Sequence, residues 1–313
     1  MSRAIARGGT ATALFTGVLV AALGGACGSV PVPSARVPVP SARSSESGCA
    51  SCHAEIAGEW RASFHRTAVT DSTFQASLAL EEPKDRAFCT NCHAPTRVAS
   101  EGVACVSCHA EPHRRKPATA ATASCAPCHE FTFEGRTELV QKTLLEHRAS
   151  AFAGTACVAC HMPQRAGHRD HRFVAGHQPA AFREAVHVSA SRAGNAVQVA
   201  IRVDAGHDFP TGDMFRRARL LVFAEREDGQ IVADAERVFG RTWGAIAQGP
   251  DAGARTQLSD TRIRGTWQAT IPLEADTPVA RVRYTLLYER LVAASGDHVS
   301  VRSSDTLVEG EAR

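Results

Sequence analysis

The pentapeptide Cys-x-x-Cys-His occurs five times between residues 49 and 161, and no other feature constrains the chain as tightly. The copies are Cys49-Ala-Ser-Cys52-His53, Cys89-Thr-Asn-Cys92-His93, Cys105-Val-Ser-Cys108-His109, Cys125-Ala-Pro-Cys128-His129 and Cys157-Val-Ala-Cys160-His161. Two thiols separated by two residues can form thioethers with the two vinyl groups of one haem. The next residue, His, then falls under the iron as its proximal ligand. The expectation is five covalently bound c-type haems. Zinc knuckles would explain paired CxxC units but not a His after each one. A thioredoxin-like dithiol would occur once, at a helix start in a βαβ unit. The motifs use ten of the eleven cysteines and leave Cys27.

Haem attachment through this motif takes place in an oxidising compartment outside the bacterial cytoplasm, so an export signal is expected. Residues 1–26 read as one, with Arg3 and Arg7, an apolar run over 11–23, and Gly24-Gly25-Ala26. The run is too short for a transmembrane helix. Leu23-Gly-Gly-Ala-Cys27 resembles a lipobox, although Leu23 stands one position upstream of the usual pattern. The alternative is an ordinary signal-peptidase cut before Cys27. Lipidation is preferred because it gives the unpaired Cys27 a role, and it places the protein in the periplasm or on the outer membrane, anchored by lipid. Residues 27–47 contain Val-Pro-Val-Pro-Ser-Ala-Arg twice, an extended polyproline-like tether. A formal charge of +3 with 21% charged residues invites no nucleic-acid or polybasic membrane reading.

Residues 48–178 form the expected pentahaem domain. Its motif starts are 40, 16, 20 and 32 residues apart, so it is not a constant-period solenoid. Apolar side chains are sparse there, and buried porphyrins are expected to supply the missing core of a mainly α and irregular domain. Helices are expected over 54–69, from the stripe Ile56, Trp60, Phe64, and over 136–148, from Leu139, Val140, Leu144 and Leu145. Residues 179–313 change to alternating β-branched texture. Seven strands are expected, at 184–191, 196–204, 218–226, 230–238, 265–271, 279–291 and 298–308. Asp228-Gly229 reads as a hairpin turn, 240–262 as a long covering loop, and the whole as an all-β antiparallel sandwich of immunoglobulin-like type.

Each iron needs a sixth ligand or keeps that position open. His65, on the first helix, is the leading distal candidate. His113 follows His109 too closely to cap its own haem and would serve a neighbour. His147 ends an amphipathic helix. Among His168, His171 and His177, His171 is preferred and His177 second. Met162 is badly placed beside His161, Met214 is a weaker candidate, and His187 and His298 read as strand residues.

Three segments carry a family resemblance. Cys49-x-x-Cys52-His53 with Trp60-x-x-Ser63-x-His65 resembles the opening of the cytochrome c554-related multihaem family. Gly102-Val-Ala-Cys105-Val-Ser-Cys108-His109, with His113 after it, is similar to that family's segment in which a later His caps an adjacent haem. Cys157-Val-Ala-Cys160-His161-Met162-Pro163 followed by Asp170-His171-Arg172-Phe173 is similar to the recurring end of such domains. Cytochrome c554 itself carries four haems, one fewer than the five motifs here. Gly206-His207-Asp208-Phe209-Pro210-Thr211-Gly212 resembles a segment of β-domains appended to multihaem cytochromes, and by that resemblance His207 reaches across the domain boundary as an axial ligand. The reading without the resemblance is a strand-end turn with a solvated His207.

The first functional expectation is an electron carrier with mostly bis-His haems and no enzymatic activity, passing electrons between partners such as other cytochromes or a membrane quinone oxidoreductase. The second is an oxidoreductase with one open haem acting on a small nitrogen or sulfur compound. A tyrosine-crosslinked haem like that of hydroxylamine oxidoreductase is disfavoured, because both tyrosines, Tyr284 and Tyr288, lie in the β-region. The lysine-ligated haem of pentahaem nitrite reductases is missing, because all five motifs end in His. A third reading makes the β-region a docking or adhesion module wired by the haems, which partner capture by that region would reveal.

Overall fold

The structure, a computed structural model, describes residues 46–98, 100–109, 118–133, 136–174, 178–249, 253–295 and 298–313, all within one compact unit. The segments expected to be signal and tether therefore lie outside the described residues. Among those described, no helix is long and apolar enough to cross a membrane.

The first half is a string of short elements. They are α1 (Glu46–Ala50), α2 (Ala54–Arg61), α3 (Phe64–Thr67), α4 (Ser72–Ala79), α5 (Arg86–His93), α6 (Cys105–Cys108), α7 (Ala118–His129), β1 (Glu130–Thr132), β2 (Leu139–Lys142), α8 (Thr143–Arg148), α9 (Cys157–His161), β3 (Gln164–Arg165) and β4 (His168–Arg169). Two expected helices are corrected. The helix over 54–69 breaks at Ala62-Ser63, where Ser63 is extended, donates from Oγ to the Trp60 carbonyl and accepts from the Arg66 N–H. A serine that satisfies both helix ends in this way favours two short helices over one long one. The stripe is broken with it: Trp60 is buried at 3% exposure, whereas Phe64 stays 39% exposed. The helix over 136–148 begins only at Thr143, because Leu139–Lys142 pairs as a strand with Glu130–Thr132.

The second half starts with α10 (Pro179–Ala185) and continues through β5 (Val186–Ala193), β6 (Ala196–Val203), β7 (Arg216–Glu225), β8 (Ile231–Ala245), β9 (Arg255–Asp260), β10 (Thr266–Pro272), β11 (Arg281–Ser295) and β12 (His298–Glu311). All pairings are antiparallel and form two sheets, ordered β10-β6-β5 and β12-β11-β7-β8-β9. Among the described residues the count is eight strands, not seven. Much of the segment read as a covering loop is the end of β8 paired with β9. Alternation explains the layering: Val197, Val199, Ile201 and Val203 of β6 and Ala218, Leu220, Val222 and Ala224 of β7 face one shared core. Fully burying one such valine or leucine contributes about 1.5–3 kcal/mol.

Polar contacts fasten the two halves. Ser77 Oγ donates to the Val292 carbonyl at 3.0 Å, Lys142 pairs with Asp260 at 2.8 Å, and Arg255 pairs with Glu81 at 3.0 Å.

Candidate functional site

Each Cys-x-x-Cys occupies one helical turn or the turn just after one, which brings the two thiols to the same side. The backbone N–H of His53 reaches the Cys49 carbonyl at 3.0 Å and that of His109 the Cys105 carbonyl at 2.9 Å, closing each motif on itself. None of the ten motif cysteines is in a disulfide. Thiols of different motifs meet: Cys49 contacts Cys105, Cys92 contacts Cys128, and Cys125 contacts Cys157. Burial pushes the Cys105 thiol up to about 11 and the Cys125 thiol up to about 12. These thiols are therefore poor nucleophiles as they stand, and thioether formation removes their proton chemistry altogether.

A cavity of about 1430 Å³ runs through this cluster. It exceeds the roughly 300–1,000 Å³ of an ordinary small-ligand pocket. Its wall includes cysteines of the second to fifth motifs together with His65, His93, His129, His161 and His207. Motif thiols and imidazoles around one mostly apolar space fit c-type haem.

The imidazoles themselves are paired. Ring centres lie 6.4 Å apart for His65 and His129, 6.3 Å for His109 and His171, and 6.2 Å for His161 and His207. Two imidazoles bound through nitrogen at about 2.0–2.1 Å on opposite sides of one metal would have centres about 6.3 Å apart. Tautomers agree with metal binding. Nδ1–H donates to a backbone carbonyl in His93 (Ala68, 2.8 Å), His161 (Val174, 2.6 Å), His171 (Arg169, 2.7 Å) and His207 (Asp208, 3.3 Å). A carbonyl can only accept, so Nε2 keeps its lone pair. At His129 it is the Gln141 amide nitrogen that stands 3.0 Å from Nδ1, and turning the amide over would let its oxygen accept from Nδ1–H instead. Burial, followed by neighbouring imidazoles, lowers His65 to about 3 and His129 to about 4. Both are neutral at physiological pH, as a metal ligand must be.

Comparison with known proteins agrees with this geometry. The family model described as cytochrome c3 matches residues 97–174. The chain is also similar in structure to a penta-heme cytochrome c552 from Thermochromatium tepidum, at 19% identity and a TM-score of 0.67, over 87% of this chain and 100% of that one. No curated protein matches. The chain has a multihaem cytochrome c fold.

In this fold the remaining candidates are distributed as follows. His147 lies against Gly206 beside His207, and among the described residues no motif imidazole stands opposite it at the paired separation. His168 gives Nε2 to Glu59 at 3.1 Å, and the same carboxylate accepts the His171 backbone N–H at 3.0 Å. His187 pairs with Asp204 at 3.3 Å near the surface. Met214 is 2% exposed and packs with Val140 and Trp243. Met162 caps α9, and His298 opens β12 opposite Ser295. His113, His177 and Cys27 lie outside the described residues.

Sequence reasoning missed the groups that hold the paired histidines. Gly102 has φ +56°, and a Cβ there would fall 2.3 Å from the His65 carbonyl oxygen. Only glycine lets this loop approach, so that the Val103 N–H reaches that carbonyl at 2.7 Å while Trp60 Nε1–H donates to the Val103 carbonyl at 2.9 Å. Arg262, 2% exposed, joins Glu146 at 2.6 Å, Asp260 at 2.8 Å and Asp208 at 3.6 Å. Thr211 Oγ–H also donates to Glu146 at 2.7 Å. Glu146 precedes His147 and Asp208 follows His207, so one buried arginine pins both histidine-bearing segments. The available signal was weak: charged residues beside two histidines, with nothing to indicate burial.

Proposed function

We propose that this chain is an exported pentahaem c-type cytochrome that relays electrons through closely spaced, mostly bis-His haems. The observation that carries the reading is the set of three imidazole pairs, each at the separation of two ligands on one iron. His129, His109 and His161 would hold three irons from the motif side, with His65, His171 and His207 opposite. Each such haem would shuttle one electron with little change at the metal and no open position for substrate. The thiol contacts link motif one to three, two to four, and four to five. They support a relay in which the His129 haem stands at a junction.

The finer assignments belong to the same proposal. Residues 48–178 would be the haem domain and 179–313 an immunoglobulin-like sandwich. The strand order β5-β6-β10 facing β12-β11-β7-β8-β9 supports this, being the A-B-E and G-F-C-C′-C″ arrangement of such folds. Periplasmic location, a lipid on Cys27 and redox-protein partners follow from the leader and the cofactor chemistry.

Intact mass of protein matured in a cytochrome-competent host should carry five haems, and fewer would remove the pentahaem reading. Replacing His207 by Ala should turn one low-spin ferric haem high-spin by EPR. An unchanged spectrum would take His207 off the iron.

A second reading, a small-molecule oxidoreductase, is favoured by one observation. The His93 ring stacks on Phe74 at 3.8 Å, and among the described residues no histidine stands opposite it.

A further inference from the structure

Residues 168–174 follow the turn between β3 and β4 and reach all three imidazole pairs. Ala166 at φ +48° and Gly167 at φ +86° make that turn, as in a type I′ connection, and fold the chain back directly after the fifth motif. His171 stands opposite His109, and the Val174 carbonyl accepts from His161 Nδ1 at 2.6 Å. Between them, the Phe173 ring lies 4.2 Å from the His65 ring, centre to centre, at 80°, and 6.0 Å from the His171 ring at 86°. One aromatic ring therefore stands edge to face against imidazoles of two different pairs. Phe173 reaches this place at φ +54°, a conformation that a bulky side chain rarely adopts. Its backbone is held from both sides. Asp170 accepts from the Arg172 N–H at 2.9 Å and from its guanidinium at 2.9 and 3.0 Å, while Val174 is fixed to His161. A side chain that merely filled space would need no such backbone, and glycine would relieve it, so the position of the ring is what the segment preserves. His93, His161, His171 and His207 are turned by Nδ1–H bonds to carbonyls. Among the described residues the His65 ring is met instead by the rings of Phe173 and His129, and by no hydrogen bond. The planes of the pairs differ accordingly: 70° for His65 and His129, 32° for His109 and His171, and 12° for His161 and His207.

We propose that Phe173 is a positioning residue that fixes the plane of the His65 imidazole nearly perpendicular to that of His129, and so gives the haem between them an electronic character its neighbours lack. The proposal rests on the bis-His reading and deepens it, because a side chain that binds no iron sets a property of one haem. Near-parallel imidazoles act on the same iron d orbital, split it from its partner and produce a rhombic low-spin ferric signal. Perpendicular imidazoles act on one orbital each, leave the two close in energy and produce a highly anisotropic signal. The splitting stabilises ferric iron, whose upper orbital is half filled, and not ferrous iron, in which both are full. Holding the planes apart therefore raises the potential of the His129 haem above the value it would have with a His65 ring free to turn.

The test uses the matured full chain, with EPR and optical redox titration as readouts. The natural chain should show a highly anisotropic low-spin ferric signal that His65→Ala removes. Phe173→Gly keeps the backbone conformation and deletes the ring. It should shift that signal toward a rhombic one and lower the potential of one haem, with the haem count by mass unchanged. The signal of the near-parallel His161 and His207 pair should stay where it was, and Phe173→Tyr should retain the anisotropic signal. Should Phe173→Gly fail to mature, Phe173→Leu, which keeps apolar bulk without a flat ring, should give the same shift. An anisotropic signal that His65→Ala removes but that ignores the loss of the Phe173 ring would overturn the proposal and leave the bis-His pairing intact. High-spin iron in Phe173→Gly would overturn it as well, because the ring would then hold His65 on the metal without setting its plane. A natural chain whose low-spin signals are all rhombic would do the same, and a spectrum indifferent to His65→Ala would overturn the pairing together with the proposal.

Discussion

The two halves of this protein share one compact unit but are held together by different means. Residues 178–313 bury a cluster of 20 hydrophobic side chains between two sheets, a core sufficient in kind for an independent domain. Among the described residues, 46–174 bury only eight hydrophobic residues, three of them alanines: Ala57, Trp60, Val69, Ala94, Ala104, Val140, Leu144 and Val158. In place of a core they surround a cavity of about 1430 Å³ lined by motif residues. The difference teaches that the first half depends on its cofactors for apolar mass, as small metal domains depend on their metal, whereas the second half supplies its own.

The largest expected effect comes from withholding haem. A chain made without the maturation machinery should lose protease resistance across 46–174 while 178–313 survives digestion, and uniform resistance would break the comparison.

Replacing Arg262 by Met should cost about 3–5 kcal/mol in denaturant unfolding, because Glu146 would be left a buried carboxylate with only the Thr211 hydroxyl to compensate it, whereas Asp208 keeps its ion pair with Arg264 at 2.8 Å. It should also disturb the haem spectrum, since Arg262 no longer ties the Glu146-His147 segment to the His207-Asp208 segment. A stability loss with unchanged spectra would confine Arg262 to holding the halves together.

Leu286→Ala, at a position with 0% exposure in β11, should cost about 2–5 kcal/mol and leave the haem spectrum as it was. A spectral change would show that the β-region and the haem half are not separable.

The smallest effect concerns pH. The hydrogen bonds from Arg172 hold the Asp170 carboxyl at about 2, below its ordinary 3.8. A depressed carboxylate contributes stability above its unfolded value and loses it as pH falls through the folded one. The melting-temperature difference between the natural chain and Asp170→Asn should therefore be constant above about pH 4 and vanish near about pH 2. A difference that persists into acid would assign Asp170 a role other than its ion pair.

Much of the β-region was legible because alternation is local: Val197 to Val203 and Ala218 to Ala224 announce their buried faces residue by residue. The strand β9 was hidden because Arg255–Asp260, with its partly or fully exposed side chains, has no such alternation and is defined by pairing with β8. The helix over 54–69 failed at Ser63 for a related reason. Its periodicity ran on, but one hydroxyl bonding to both neighbouring turns was enough to split it.

What the sequence by itself determined is the covalent chemistry, because two thiols and an imidazole within five residues need only one helical turn to reach the same side. What only the tertiary structure decided is which imidazole faces which. His65 meets His129, His171 meets His109, and His207 arrives at His161 from another sheet-bearing half of the chain. The physical reason is that a ligand on the far side of a flat cofactor is placed by long-range packing, here by Gly102, Glu59 and Arg262, and no spacing along the chain encodes that approach.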